Sequence, residues 1–232
     1  MTLGFRDMAP AVRGFMMTGL LLACALTILG GCAGTKASPS PVKPTEVSGK
    51  SEAELQAKVS DKFEDPQSHY ELARVYHKAH NWTKADYHYR VAVGLDPANR
   101  AAQAGYVKML ADSGDKTKSE DFAGTYIRQA GVSEKETLRL GWEFEQLGMD
   151  EYALRCYKQA VAAGPDSDAA NRQLGFYYVG KGDSANAKTY LMRSFDLNPR
   201  QPDVAGALGR LGVVVQTPGV PEGPLETKTK SK

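Results

Sequence analysis

Glu134 to Pro199 reads EKETLRLGWEFEQLGMDEYALRCYKQAVAAGPDSDAANRQLGFYYVGKGDSANAKTYLMRSFDLNP, and one pattern is written in it twice. Leu140, Gly141, Phe144, Ala153, Tyr157, Ala160 and Pro165 recur 34 residues later as Leu174, Gly175, Tyr178, Ala187, Leu191, Ser194 and Pro199. A third copy lies 68 residues upstream of the first, at Leu72, Ala73, Tyr76, Ala85, Tyr89, Ala92 and Pro97. A fixed stride of this length is the mark of stacked supersecondary units. Leu, Gly and an aromatic at i, i+1 and i+4 put a small residue between two large ones on one helical face. A second helix can approach there, and it answers with Ala153 and Ala160, or Ala187 and Ser194, flanking Tyr157 or Leu191. The turns at Gly148 and Gly182 join each pair antiparallel. Pro165 and Pro199 stop the second helix.

A further ladder fixes the register. Asp65, Asn99, Ser133 and Ser167 are spaced by 34 residues and are all good N-cap types. Pro66 takes the favoured first helical position. Ser133 and Glu136 have capping-box spacing. The ladder carries the stride across 100–133, where the apolar pattern is weak. There Tyr106, Val107 and Leu110 hold the first helix, and DSGDKTKSED reads as a longer turn. Ala123, Ile127 and Ala130 appear to the pattern about three residues late, so an insertion and a deletion cancel before Ser133.

These residues resemble the tetratricopeptide repeat, whose pattern is Leu-Gly-x-x-Tyr, then Ala-x-x-x-Phe, then Pro. The resemblance implies an all-α solenoid of antiparallel helix pairs. The repeats would be 66–99, a divergent 100–133, 134–167 and 168–201. Leu55, Val59 and Phe63 form one apolar stripe in a capping helix over 51–65. Residues 202–211 begin a first helix with no partner and read as a C-terminal cap. The end, 212–232, is rich in Pro, Gly, Thr and Lys and is expected to be disordered.

The N-terminus has its own logic. Arg6 and Arg13 supply positive charge, and Phe15 to Leu29 is a mainly apolar run, so 1–31 reads as a secretory signal. It ends Leu29-Gly30-Gly31-Cys32, which resembles the lipobox of bacterial lipoproteins. The resemblance implies that Cys32 is lipidated (diacylated, with palmitate among the acyl chains) and becomes the mature N-terminus. Ala33, in place of Asp, implies the outer membrane, facing the periplasm. An uncleaved signal anchor is the alternative. Within 32–50, the residues after Cys32 (33–50, with Pro39, Pro41 and Pro44) read as a mobile tether spanning at most about 60 Å.

Composition narrows the function. Lys and Arg number 29 against 27 acidic residues, so no basic field points to nucleic acid. Of the three cysteines, Cys24 lies in the leader, Cys32 stands at its end, and Cys156 reads as a small apolar residue of a second helix. No nucleophile elbow, zinc-protease helix or phosphate loop occurs, so no enzyme and no cofactor is implied. The histidines His69, His77, His80 and His88 all fall in the first repeat; without a third ligand they read as packing or exposed rings, not a metal site. His69 takes a position where the family often has Trp.

The resemblance also implies a concave groove lined by the first helices, and with it a protein or peptide partner. Carried over residue by residue, the lining is Tyr70, Arg74, His77, Lys108, Leu138, Trp142, Glu145, Arg172, Phe176 and Val179. Trp142 and Phe176 follow the structural glycines directly and therefore point away from the face those glycines pack. They either anchor a ligand or pack between adjacent first helices; both readings stay open. Arg74 and Lys108 stand where chaperone-binding relatives need an Asn, so that carboxylate clamp is not supported. The whole reads as a membrane-anchored scaffold serving assembly of an envelope complex such as a pilus or secretin. An outer-membrane protein assembly subunit or a plain structural spacer are the alternatives.

Overall fold

The computed structural model describes residues 50–216 and 218. The leader, Cys32, the tether and the end of the tail lie outside the described residues. The described chain is helical: α1 (Glu52–Asp61), α2 (Pro66–Lys78), α3 (Trp82–Leu95), α4 (Arg100–Asp112), α5 (Lys116–Ala130), α6 (Glu134–Gln146), α7 (Asp150–Ala163), α8 (Asp168–Gly180), α9 (Ser184–Leu197) and α10 (Pro202–Arg210). Four hairpins, α2–α3 to α8–α9, stack as a solenoid between α1 and α10. No helix among the described residues is long and apolar enough to cross a membrane.

Backbone punctuation sets the stride. Asp65, Asn99, Ser133 and Ser167 each cap a first helix, accepting from the amides of Gln67, Ala102, Glu136 and Ala170. Each hairpin turn carries one left-handed residue, again every 34 positions: Gly114, Gly148 and Gly182 at φ of 93°, 69° and 73°, and His80 at φ of 55°. Glycine takes this region freely and histidine does not. The turn in 100–133 is therefore no longer than the others. α4 ends at Asp112 and α5 starts at Lys116, with Asp115 as its cap, so nothing is inserted or deleted. What differs is the apolar order along α5.

Two local expectations change. Ser133 accepts from the Glu136 amide, but the Glu136 carboxylate turns to Arg100 (Nε–Oε2 3.0 Å) and ties α4 to α6 in place of closing a capping box. A full capping box stands instead at Ser51 and Glu54, heading α1. The stripe Leu55, Val59, Phe63 also breaks. α1 stops at Asp61, Leu55 is fully buried, and Phe63 lies past the helix, 52% exposed.

The core joins small against large. A Cβ on Gly141 would lie 2.6 Å from the Tyr157 ring, and one on Gly175 would lie 2.7 Å from Leu191. Tyr157 and Leu191 are fully buried, and burying a side chain of that size is worth about 1.5–3 kcal/mol. A third close approach joins successive repeats, since a Cβ on Gly105 of α4 would lie 2.8 Å from Tyr89 of α3. Cys156 sits in this core; burial pushes its thiol up to about 12, which removes the thiolate and its reactivity. A second cluster, Leu191, Phe195, Val204, Ala207 and Leu208, seals the end under α10. Val213 and Val215 pack on it, so the packed chain runs past residue 212, where a disordered tail was expected to begin.

Candidate groove site

The stride places three rows of side chains along the first helices. One row is Tyr70, Ala104, Leu138 and Arg172; the next is Arg74, Lys108, Trp142 and Phe176; the third is His77, Ala111, Glu145 and Val179. The middle row runs from cations to aromatics. Tyr70, Arg74, His77 and Lys108 come together in one cleft between α2 and α4, about 280 Å³ in volume, whose floor and ends include Tyr89, Gly105 and Leu147. The other six expected lining residues lie outside that cleft.

Asp112 organises its far wall. Its carboxylate accepts from Lys108 Nζ (2.5 Å) and from His77 Nε2 (3.0 Å). Burial acts to raise this carboxyl, but the two hydrogen bonds prevail and hold it below its ordinary value. Burial lowers His77, against the pull of Asp112, so its ring is neutral near pH 7. A carboxylate only accepts, so Nε2 carries the proton and Nδ1 takes the Tyr89 hydroxyl at 3.4 Å. The same contact recurs in the third hairpin, where the Tyr157 hydroxyl donates to Glu145 Oε2 at 2.7 Å. In the fourth hairpin the equivalent pair, Val179 and Leu191, is apolar. These second-helix tyrosines thus reach through to the groove, and the twelve-residue spacing of 77–89, 145–157 and 179–191 was a readable signal for it.

The near wall is less occupied. The Arg74 guanidinium lies over the Tyr70 ring, 5.6 Å from its centroid. Neither Arg74 nor Lys78, one turn apart on α2, is in an ion pair among the described residues. Glu143 on α6 feels the field of Arg74 and Arg139, yet burial prevails and raises its carboxyl. Lys78, Asp112, Glu143 and Leu147 were not anticipated. Only Asp112 had a sequence signal, four residues after Lys108 on one helix.

The remaining expected residues divide between open and packed. Trp142 is 48% exposed. Phe176 packs with Val179 on the second cluster, beneath the Arg172 guanidinium at 5.1 Å. Arg172 itself is held by Asp203 of α10 (Nε–Oδ2 2.7 Å). Leu138 packs against the main core. Of the two aromatics left with two readings, Phe176 packs and Trp142 stays open to solvent.

The histidines do not assemble as a ligand set; the described residues hold no group of three metal-binding side chains. His69 is fully buried. Its Nε2 donates to the Phe63 carbonyl at 3.0 Å, so its Nδ1 accepts from His88 Nδ1, also at 3.0 Å. Burial lowers both rings, and His88, further depressed by His69 and Lys84, falls to about 4. His80 stands edge-on to Trp82 at 5.0 Å.

Residues 172–201 match the tetratricopeptide repeat model. The four capped hairpins at one stride extend that repeat's arrangement through the described residues as a tetratricopeptide-like solenoid. Solved structures of similar proteins include MamA, 16% identical over 66% of this chain and 89% of that one, with a TM-score of 0.37. YrrB, described as a tetratricopeptide-repeat protein with an unusual peptide-binding site, is 14% identical over 68% and 81%, with a TM-score of 0.39. PilF of Pseudomonas aeruginosa is 20% identical over 63% and 67%, with a TM-score of 0.36. None of the curated proteins matches the chain in sequence.

Proposed function

We propose that this protein is a lipid-anchored scaffold whose groove holds an extended or helical segment of a protein partner during assembly of an envelope complex such as a pilus or a secretin. The observation that carries the binding half is Trp142. It occupies the middle groove row, and it is left half-open while the aromatic one repeat later is packed away. A large aromatic exposed among charged neighbours is the residue type that supplies binding energy at interfaces. The anchoring half rests on the leader and on Leu29-Gly30-Gly31-Cys32, with Ala33 directing the protein to the outer membrane.

Two experiments test the halves separately. Labelled palmitate is expected on the wild type and not on Cys32→Ser; absence of label from both would refute the anchor. Trp142→Ala is expected to lose the partner in a crosslinking pull-down while the helical circular dichroism is unchanged. Retention of the same partner would make the protein a spacer.

A further inference from the structure

Resting on that groove reading, we infer that the bound segment is acidic at one end: it presents two carboxylate side chains to Arg74 and Lys78 and an apolar side chain further along to Trp142. Arg74 is held in place by stacking on Tyr70 and pairs with no carboxylate among the described residues. Lys78 lies one turn on in the same cleft and is in no ion pair among the described residues either. Lys108 and His77 are already satisfied by Asp112 and contribute little further pull.

The spacing selects the ligand. Residues four apart on a helix are separated by about 6 Å along its axis. Side chains two apart on an extended strand are separated by about 7 Å. An acidic-x-acidic segment therefore matches both cations, whereas one terminal carboxylate meets a single cation. An exposed arginine fork and an exposed ammonium lining one cleft favour carboxylates over neutral amides. On α6 Glu145 brings the opposite sign, and Glu143 there stands close enough to Arg74 to feel its charge. The acidic residues are therefore confined to the α2–α4 end, and the segment has one register along the groove.

The test is fluorescence anisotropy on the full chain in detergent with three labelled peptides. The first is end-blocked and carries glutamate-alanine-glutamate, a short alanine spacer and a phenylalanine. The second replaces both glutamates by glutamine. The third is the glutamine peptide with a free C-terminal carboxylate. The glutamate peptide is expected to bind about tenfold more tightly than either other peptide, with the advantage shrinking at high salt. Arg74→Ala with Lys78→Ala is expected to abolish the advantage. Lys118→Ala, whose ammonium pairs with Asp115 outside the cleft, is expected to keep it. Equal binding of glutamate and glutamine peptides, an advantage that survives the double variant, or no binding of any peptide would overturn the inference. If all peptides bind alike and Trp142→Ala weakens all of them, the groove reading stands and the acidic register fails. If Trp142→Ala weakens none, both fail.

Discussion

In the third and fourth hairpins the first helix yields and the second fills. Gly141 lies against Tyr157 and Gly175 against Leu191. The second hairpin has the sizes exchanged: Val107 stands at the glycine position and Ala123 at that of the large residue, both fully buried. Ser119 takes the place of the small Ala153 or Ala187, and its hydroxyl donates to the Val107 carbonyl at 3.0 Å. Yet caps and turns keep the same stride in all of them. The stride belongs to the backbone punctuation, while the facing positions exchange size between repeats and stay filled.

The largest test of that contrast is steric. Tyr157→Ala is expected to cost about 4 kcal/mol in urea unfolding, because it empties the space beneath Gly141 and removes the bond to Glu145. Ala123→Tyr, which writes the third hairpin's residue into the second, is expected to cost about 2–3 kcal/mol by overpacking. Adding Val107→Ala is expected to recover at least about 1 kcal/mol of that loss. A double variant whose cost equals the sum of the two singles would break the exchange account.

The next test sets the first hairpin against the others. Only it packs imidazoles inside, the buried His69 and the half-buried His88, hydrogen-bonded to each other in neutral form. Their folded-state values lie below the ordinary 6.5, His88 at about 4, so the unfolded chain binds more protons over that interval. Stability is therefore expected to be full above pH 6.5 and to fall as the pH drops from 6.5 towards 4. The loss assigned to His88 is about 1–2 kcal/mol after allowance for its partial exposure to solvent. His88→Gln is expected to flatten this limb in pH-dependent melting. An unchanged slope would remove the pair from the account.

A smaller effect concerns the turns. His80→Gly is expected to stabilise the protein by about 1 kcal/mol through relief of a left-handed histidine, less whatever its contact with Trp82 contributes. Gly148→Ala, at the matching place, is expected to cost about 1 kcal/mol. If both substitutions move the urea midpoint the same way, the four turns are not equivalent.

Much of this was legible because it is periodic. The N-caps, the glycine turns and the small-against-large pairs are all spelled out at one stride, and a local rule explains each. The second hairpin departs from its expected turn because its apolar pattern does not track its backbone. Its residues change size order without changing position, and only Gly114 and Asp115 betray the true turn. The groove was legible by row but not by contact. Nothing local says that Phe176 packs on the cluster under α10 while Trp142 stays open, or that Glu136 prefers Arg100 to its own helix end. Those outcomes depend on neighbours a repeat away, where sequence distance exceeds the reach of helical spacing rules.

The most direct measurement is position-specific photocrosslinking in the cell of origin. A photoreactive residue is placed at Trp142 on the groove row and, separately, at Arg155, an exposed position of α7. The groove position is expected to trap one discrete envelope partner and the α7 position none. Equal trapping from both positions, or trapping from α7 alone, would contradict a scaffold that works through its groove.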